Sequence, residues 1–122
     1  MAVLDMEAGL EHMGRGTVEH VDILIIVTEP YYRALDAAAR IRDLANELGV
    51  RRSVIAANRI RSDTEREAVG EYCRRHDLYL VAGIPYDESI VEAEQRGVAP
   101  VDFAPRSPAV QAIRALATAL QA

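Results

Sequence analysis

Short apolar runs alternate along the chain with stretches in which apolar residues recur at helical spacing. The apolar runs are residues 21–28, 53–57 and 78–82, and their aliphatic, often β-branched composition is typical of buried strands. The first run is apolar at nearly every position after Asp22, so we predict a central parallel strand covered on both faces. Residues 2–4 predict a further, very short strand at the start of the chain.

The stretches between these runs carry residues that commonly begin helices. Ser62 with Glu65 forms a capping-box pattern, and Asp87 and Ser107 are suited to the N-cap position of two later helices. The predicted helices cover residues 31–48, 62–76, 87–97 and 107–120. Strands that alternate with helices predict an α/β fold, in which a parallel sheet of about four strands is flanked by helices. Residues 1–122 are predicted to form a single domain.

Composition and charge argue against several classes of function. The chain has 19 acidic and 14 basic residues, and its formal net charge of -5 disfavours a surface for nucleic acid or anionic lipid. The lone cysteine, Cys73, cannot form an intramolecular disulfide, and no cysteine pair offers a metal or redox motif. The longest apolar run, residues 23–27, is too short to span a bilayer. We expect a soluble, cytoplasmic protein with no membrane or nucleic-acid partner and no resident metal.

The first candidate site lies where the first predicted strand ends. Asp5 follows residues 2–4 and precedes a loop that contains Gly9, Gly14 and Gly16. In nucleotide hydrolases an acid in this position holds Mg²⁺ directly or through water, and glycine lets the next loop approach a phosphate. One alternative is a surface turn, in which Asp and Gly are common. Another is the phospho-acceptor of a receiver-like domain, although the acidic pair and the lysine of such domains are lacking.

Two further loops should open at the same edge of the sheet as Asp5. Because the carboxyl ends of parallel strands share one edge, Asn58 and Arg59 should meet residues 84–87 and the Asp5 loop in one pocket. An asparagine amide can bond a purine edge, and a proline-tyrosine loop can pack on a ring face. The alternatives are that Asn58 is a strand-end turn residue and that Asp87 is a simple N-cap.

Four segments occur in an order that resembles one group of nucleotide hydrolases. They are D-M-E-A-G-L-E-H-M-G-R-G at residues 5–16, V-T-E-P-Y-Y-R-A-L at 27–35, A-N-R at 57–59 and G-I-P-Y-D at 83–87. Together they resemble the C-terminal half of MinD/ParA-type P-loop ATPases of the SIMIBI class. They are most similar to CooC-type ATPases, which assist nickel insertion into carbon monoxide dehydrogenase. The resemblance implies part of a three-layer, Rossmann-like P-loop NTPase fold, with ATP and Mg²⁺ as ligands.

The resemblance also implies roles for individual residues. Asp5 would support Mg²⁺ and the attacking water, and Asn58, beside Arg59, would read the adenine edge. The switch backbone near the γ-phosphate would be formed by Glu7, Ala8 and Gly9. The base would be framed by Pro85, Tyr86 and Asp87, and a second subunit or a client would be contacted by Glu11, His12 and Arg15. Because Glu11, His12 and His20 are not paired at a recognised ligand spacing, a switch-loop or solvated role is favoured over metal binding.

The chain departs from this family in two respects. It contains no G-K-G-G-x-G-K-[ST] phosphate loop, and indeed no lysine. The cysteine pair that CooC-type proteins carry upstream of the switch acid is also absent. We therefore expect the chain alone not to hydrolyse ATP. We also expect residues 2–4 to be poorly anchored, because the strand that precedes the phosphate loop would lie between them and residues 23–27.

The missing phosphate loop also determines which partners are expected. The first hypothesis is a nucleotide-binding domain whose partner is the missing N-terminal half or a second copy, and whose client is a carbon monoxide dehydrogenase-type protein. The alternative is a non-catalytic α/β interaction module, or gene fragment, that binds a protein partner and performs no chemistry.

Overall fold

The computed structural model describes residues 3–5 and 21–121 of the chain. Within these ranges the chain forms three strands and five helices, with one helix between each pair of successive strands, as the sequence predicts, and three helices after the last strand, one of which the sequence does not predict. In order, they are β1 (Leu24–Thr28), α1 (Tyr32–Glu47), β2 (Ser53–Ile60), α2 (Asp63–Arg75), β3 (Leu80–Pro85), α3 (Glu88–Arg96), α4 (Pro100–Phe103) and α5 (Pro108–Gln121). None of the helices in this part of the chain is long and apolar enough to cross a membrane.

The three strands form a parallel sheet in the order β1-β2-β3. Ile26 of β1 pairs with Ile55 of β2, which in turn pairs with Leu80 of β3. Each strand is joined to the next through a helix, which is the connection that parallel strands require. The predicted α/β fold with a parallel sheet flanked by helices is therefore confirmed.

The described sheet has three strands rather than about four. Val3, Leu4 and Asp5 adopt no strand structure, and the side chains of Val3 and Leu4 are 79% and 73% exposed. The predicted strand at residues 2–4 is therefore wrong over the part of it that the structure describes. Its apolar side chains are mostly exposed, so hydrophobic burial contributes little to hold this segment against the sheet.

One face of the sheet carries the main core. Ile26, Ile55 and Ala57 lie on this face and are buried against α1 and α2. The two helices contribute Leu35, Ala38, Ala39, Val69, Tyr72 and Cys73 to the same cluster. On the opposite face α5 packs against β3 and buries Ala109 and Val110.

Strand β1 differs from its prediction. The apolar sequence predicts a central strand covered on both faces, but β1 lies at the edge of the described sheet. Ile26 is buried beneath α1, whereas Ile25 and Val27 on the other face are 37% and 64% exposed. The physical reason is that α5 packs on β3, two strands away, so this helix does not shield the second face of β1.

The helix ends follow the predicted capping chemistry. Ser62 Oγ accepts a hydrogen bond from the backbone N–H of Glu65 at 3.1 Å, and the Glu65 carboxylate accepts one from Arg61 N–H at 2.7 Å. Gly97 ends α3 with a φ of +66°, a left-handed conformation that glycine adopts without steric cost. The Ser62 bond satisfies one of the first N–H groups of α2, and Gly97 N–H donates to the carbonyls of Ala93 and Glu94 at the end of α3.

Candidate functional site

The carboxyl ends of the strands bring the sequence-predicted residues to one edge of the sheet. Thr28 at the end of β1 pairs with Ala57, and Ile60 at the end of β2 pairs with Pro85 at the end of β3. Asn58 and Arg59, predicted to lie in a loop, are instead the last part of β2, which runs to Ile60. The structure therefore places Asn58, Arg59, Pro85, Tyr86 and Asp87 along a single edge, which we call the carboxyl edge.

Arg59 has an unusual backbone conformation at this edge. Its φ is +57°, in the left-handed region that costs a non-glycine residue roughly 1–2 kcal/mol. The pairing of β2 with β3 shifts register between Ala57 and Ile60, so Arg59 sits in a β-bulge. Asn58 Oδ1 accepts a hydrogen bond from Arg59 N–H at 3.0 Å and supports the bulge. A purine that needs this oxygen as an acceptor has to replace that bond.

A glutamate that sequence reasoning did not assign to the site connects two strand ends. Glu29, directly after β1, accepts a hydrogen bond from the Tyr31 hydroxyl at 2.7 Å through Oε2. Its Oε1 accepts a 3.4 Å hydrogen bond from Arg59 Nη1. The hydrogen bond to Glu29 and its negative charge raise the pKa of Tyr31 above its ordinary value. The segment Thr28-Glu29-Pro30 predicts only a strand end, because nothing local indicates a partner 30 residues away.

The ring of Tyr86 is held by residues from two elements. The Arg61 guanidinium lies over the ring, 4.7 Å from its centroid, in a cation–π contact. The Tyr86 backbone N–H donates to Ile60 carbonyl at 2.9 Å, and its hydroxyl donates to Glu88 at 3.4 Å. The ring is exposed, but Arg61 occupies one of its faces. A planar ligand would stack on the other face or displace the guanidinium.

Asp87 connects the beginnings of two helices. Its Oδ1 accepts a hydrogen bond from Ser89 N–H at 2.9 Å, which confirms the N-cap interpretation for α3. Its Oδ2 accepts one from Ala109 N–H, in the first turn of α5, at 3.1 Å. The hydrogen bond from Ala109 lowers the pKa of Asp87 below the ordinary aspartate value; burial opposes this, and the bond from Ser89 adds a smaller lowering effect. Both oxygens are thus engaged within the fold, and contact with a base stays a prediction.

The loop predicted to hold Mg²⁺ and the γ-phosphate is described only at its beginning. Asp5 is exposed and lies outside the sheet. Among the residues that the structure describes, no hydrogen bond or ion pair joins it to the carboxyl edge. The other predicted switch residues lie outside the described ranges: Glu7, Ala8, Gly9, Glu11, His12 and Arg15. Nor do residues 3–5 and 21–121 contain a cluster of three or more His, Cys, Asp or Glu side chains suited to a metal.

A cavity of about 360 Å³ lies away from these residues. Its lining comes from the C-terminal part of α1, the beginning of β2 and the segment after α2, including Arg42, Asn46, Ser53 and Asp77. Arg42 donates to the carbonyls of His76 and Asp77 at 2.9 and 2.7 Å. The cavity is thus at the amino end of the sheet, whereas parallel α/β sheets bind their ligands at the carboxyl end.

Comparison with known proteins identifies the relatives of this chain. It is 43% identical over 104 residues to the carbon monoxide dehydrogenase accessory protein CooC of Rhodospirillum rubrum. The chain is a homologue of part of CooC. The alignment covers 84% of this chain and 38% of the Rhodospirillum protein. An uncharacterized ATP-binding protein of Methanocaldococcus jannaschii is 36% identical over 98 residues, with 80% of this chain and 38% of that protein covered. No protein-family model matches.

Solved structures of related proteins show the same fold as this chain. A chain of the MinC:MinD cell division protein complex of Aquifex aeolicus superposes with a TM-score of 0.78 at 26% identity, covering 93% of this chain and 48% of that one. MinD of Pyrococcus horikoshii, solved with Mg-ADP, gives 0.69 at 25% identity, covering 81% and 41%. The resemblance to CooC-type and MinD/ParA-like proteins is confirmed. The homologue spans about 38% of the length of its curated relatives.

The carboxyl edge of this CooC homologue has the chemistry to hold a planar polar group. The Asn58 amide and the Tyr86 ring provide hydrogen bonding and a stacking surface within one edge. The two arginines there are already engaged, Arg59 with Glu29 and Arg61 with the Tyr86 ring. This donor set suits a base better than a triphosphate, which requires a cradle of backbone amides and free cations.

Proposed function

We propose that this chain is the base-binding and switch part of a CooC/MinD-like P-loop ATPase. It would bind ATP and Mg²⁺ only together with a phosphate loop supplied by another polypeptide segment. The observation that supports this most directly is the 43% identity to the CooC accessory protein. The placement of Asn58, Arg59, Pro85 and Tyr86 on one edge of the sheet agrees with it.

The described residues fit the two parts of the nucleotide differently. Asn58, Pro85 and Tyr86 suit a purine, for the reasons given above. The triphosphate and Mg²⁺ would be bound by the phosphate loop, by Asp5 and by the backbone of Glu7, Ala8 and Gly9. Hydrolysis would therefore belong to the complete assembly, and the chain alone would have no ATPase activity.

The cellular role that we propose follows the family. The relative with 43% identity is an accessory protein of carbon monoxide dehydrogenase. We infer a cytoplasmic metallochaperone function in which the complete ATPase assists insertion of nickel, as substrate, into an enzyme of that kind. Glu11, His12 and Arg15 would contact the client or a second subunit of a dimer, and ATP would control this contact through the switch loop.

An NMR titration of the isolated, isotope-labelled chain tests the proposal. With adenosine and with Mg-ATP we expect weak binding of similar strength, with shifts confined to residues 58–61 and 85–87. Asn58→Ala should weaken the binding several-fold, whereas Asn46→Ala, at the amino end of the sheet, should leave it unchanged. Tight, Mg²⁺-dependent binding would show that the chain is competent alone, and absence of shifts at the carboxyl edge would contradict base binding.

The second candidate is a non-catalytic interaction module. It is favoured by the exposed apolar side chains of β1, Ile25 and Val27, which suit a protein partner rather than a nucleotide. The same titration separates the two candidates, because an interaction module without base-binding function would give no shifts with adenosine or ATP.

A further inference from the structure

The cavity at the amino end of the sheet, which we call the amino-end cavity, carries two arginines that the fold does not use. Arg51 and Arg52 directly precede β2, line the cavity and are exposed. Among the residues that the structure describes, neither guanidinium forms an ion pair. Arg42, which also lines the cavity, is engaged instead: its Nε donates to Asp43 at 2.8 Å, and its terminal nitrogens donate to two carbonyls after α2. The cavity therefore offers two cations without a partner in the described fold.

Ser53 adds a buried hydroxyl group to the same cavity. It is the first residue of β2, and its Oγ has no hydrogen-bond partner within the described ranges. A buried polar atom without a partner is costly, so an unpaired hydroxyl beside a cavity indicates a place for a polar atom from outside the chain. Asn46 of α1 lines the cavity as well and contributes an amide.

The backbone around the cavity is committed to the fold. Ile55 N–H donates to Tyr79 carbonyl at 2.7 Å, and Leu78 N–H donates to Cys73 carbonyl at 2.8 Å. Phosphate sites commonly use a concave group of backbone amides, which these residues do not offer. The donors that remain are guanidinium, hydroxyl and amide groups, and a guanidinium binds a planar carboxylate through two parallel hydrogen bonds. The donor set therefore favours carboxylates over phosphate.

Charge and size restrict the ligand further. Asp77 is the acidic residue of this lining within the described part of the chain, so the two unpaired arginines face one carboxylate. The lining is thus positive, although the whole chain has a net charge of -5. The volume of about 360 Å³ is near the lower limit of small-molecule sites, which span about 300–1,000 Å³. A small anion with more than one carboxylate fits these properties.

We propose that the amino-end cavity binds a small dicarboxylate. One carboxylate would pair with Arg51 and the other with Arg52, while Ser53 Oγ and the Asn46 amide would donate further hydrogen bonds. The nucleotide residues lie at the opposite, carboxyl end of the strands. The amino-end cavity is therefore a second site, and its ligand does not depend on the proposed function.

An NMR titration of the isotope-labelled full chain with succinate tests this inference. We expect saturable binding in the millimolar range, with amide shifts at residues 51–54 and 77–79 and none at residues 58–61. At the same ionic strength inorganic phosphate should bind several-fold more weakly, and sodium chloride should cause no saturable shift. Because adenosine is expected to act only at the carboxyl edge, separate titrations let either site fail without the other.

Charge variants with opposite effects separate ligand contact from structural damage. Arg51→Gln and Arg52→Gln should each weaken succinate binding about three- to tenfold. Asp77→Asn removes the acid that faces them and should tighten binding, and asparagine tolerates the left-handed φ of +54° at this position. Arg33→Gln is the matched control, because it removes the same charge from an exposed arginine at the other end of α1 and should leave the Kd unchanged.

Ser53→Ala distinguishes a ligand contact from a structural one. It should weaken succinate binding several-fold without lowering the free energy of unfolding, because the hydroxyl has no described partner to lose. Succinate binding that survives this substitution unchanged would contradict the inference, as would a loss of stability. The inference is also overturned if succinate causes no saturable shifts at the cavity or if phosphate binds as tightly. A change of the Kd in the same direction for Asp77→Asn and the arginine variants would refute it as well.

Discussion

The Asp87 carboxylate accepts a hydrogen bond from the backbone N–H of Ala109, 22 residues further along the chain. The same side chain caps α3 through Ser89 N–H, so a single carboxylate fixes the N-termini of α3 and α5 relative to β3. Since α5 is the helix that packs on β3, Asp87 links the candidate site to the second face of the sheet. The family resemblance assigns this residue to the nucleotide, but its described contacts are structural.

Removing both acceptor atoms of Asp87 should destabilise the fold. We expect Asp87→Ala to lower the free energy of unfolding by about 1–3 kcal/mol, since each lost N-cap typically costs about 0.5–2 kcal/mol. Asp87→Asn should cost less, because its amide keeps one acceptor oxygen. Urea denaturation followed by circular dichroism measures the difference. Asp22→Asn, at an exposed position before β1, is the control and should have almost no effect.

The lowered pKa of Asp87 predicts a dependence of stability on pH. Because the folded-state pKa is below the unfolded one, the unfolded chain takes up a proton first as the pH falls. The contribution of Asp87 is complete above the ordinary aspartate pKa of about 3.9 and is lost as the pH falls through the folded pKa. The stability of Asp87→Asn should therefore decline less than that of wild type between about pH 5 and pH 2. Parallel curves for the two proteins would contradict this assignment.

The Glu29–Tyr31 hydrogen bond should be visible in a tyrosine titration. Glu29→Gln removes the negative charge and the charged acceptor that raise the pKa of Tyr31, so that pKa should move toward its ordinary value. NMR of tyrosine labelled at the ring Cζ measures it directly. The pKa of Tyr72, which is raised first of all by burial, is an internal reference and should not change. A Tyr31 pKa unaffected by the substitution would show that the bond is absent in solution.

The left-handed conformation of Arg59 predicts an unusual response to glycine. Arg59→Gly relieves the steric cost at φ +57° and should leave the free energy of unfolding unchanged or raise it by up to about 1 kcal/mol. Arg59→Val, with a β-branched side chain, should lower it by about 1–2 kcal/mol. Arg52→Gly is the control, because Arg52 is exposed without a positive φ, and it should be mildly destabilising. Equal effects of glycine at positions 52 and 59 would refute a strained bulge.

Local patterns in the sequence predict much of this fold. The Ser62–Glu65 capping box and the Gly97 helix end depend only on residues within one turn, and both form. What the sequence does not reveal are contacts between distant residues, such as Asp87 with Ala109 and the Glu29–Arg59 pair. Strand limits also shift, since pairing with β3 and a bulge at Arg59 carry β2 on to Ile60.

The prediction for β1 is wrong for a different reason. The composition of β1 is that of a buried strand, whereas the exposure of its side chains depends on which other elements pack against it. The sequence predicts that Asn58, Pro85 and Tyr86 lie at one edge of the sheet, and the structure places them there; their binding role stays a prediction. The sequence does not predict the contacts of Glu29 with Arg59 and of Arg61 with the Tyr86 ring, because they arise from tertiary packing.

The exposed pair Ile25 and Val27 has a consequence for the protein in the cell. Apolar side chains left exposed on a strand are a feature that chaperones and quality-control proteases recognise. We therefore expect the cellular abundance of this polypeptide to fall whenever this face of β1 stays uncovered.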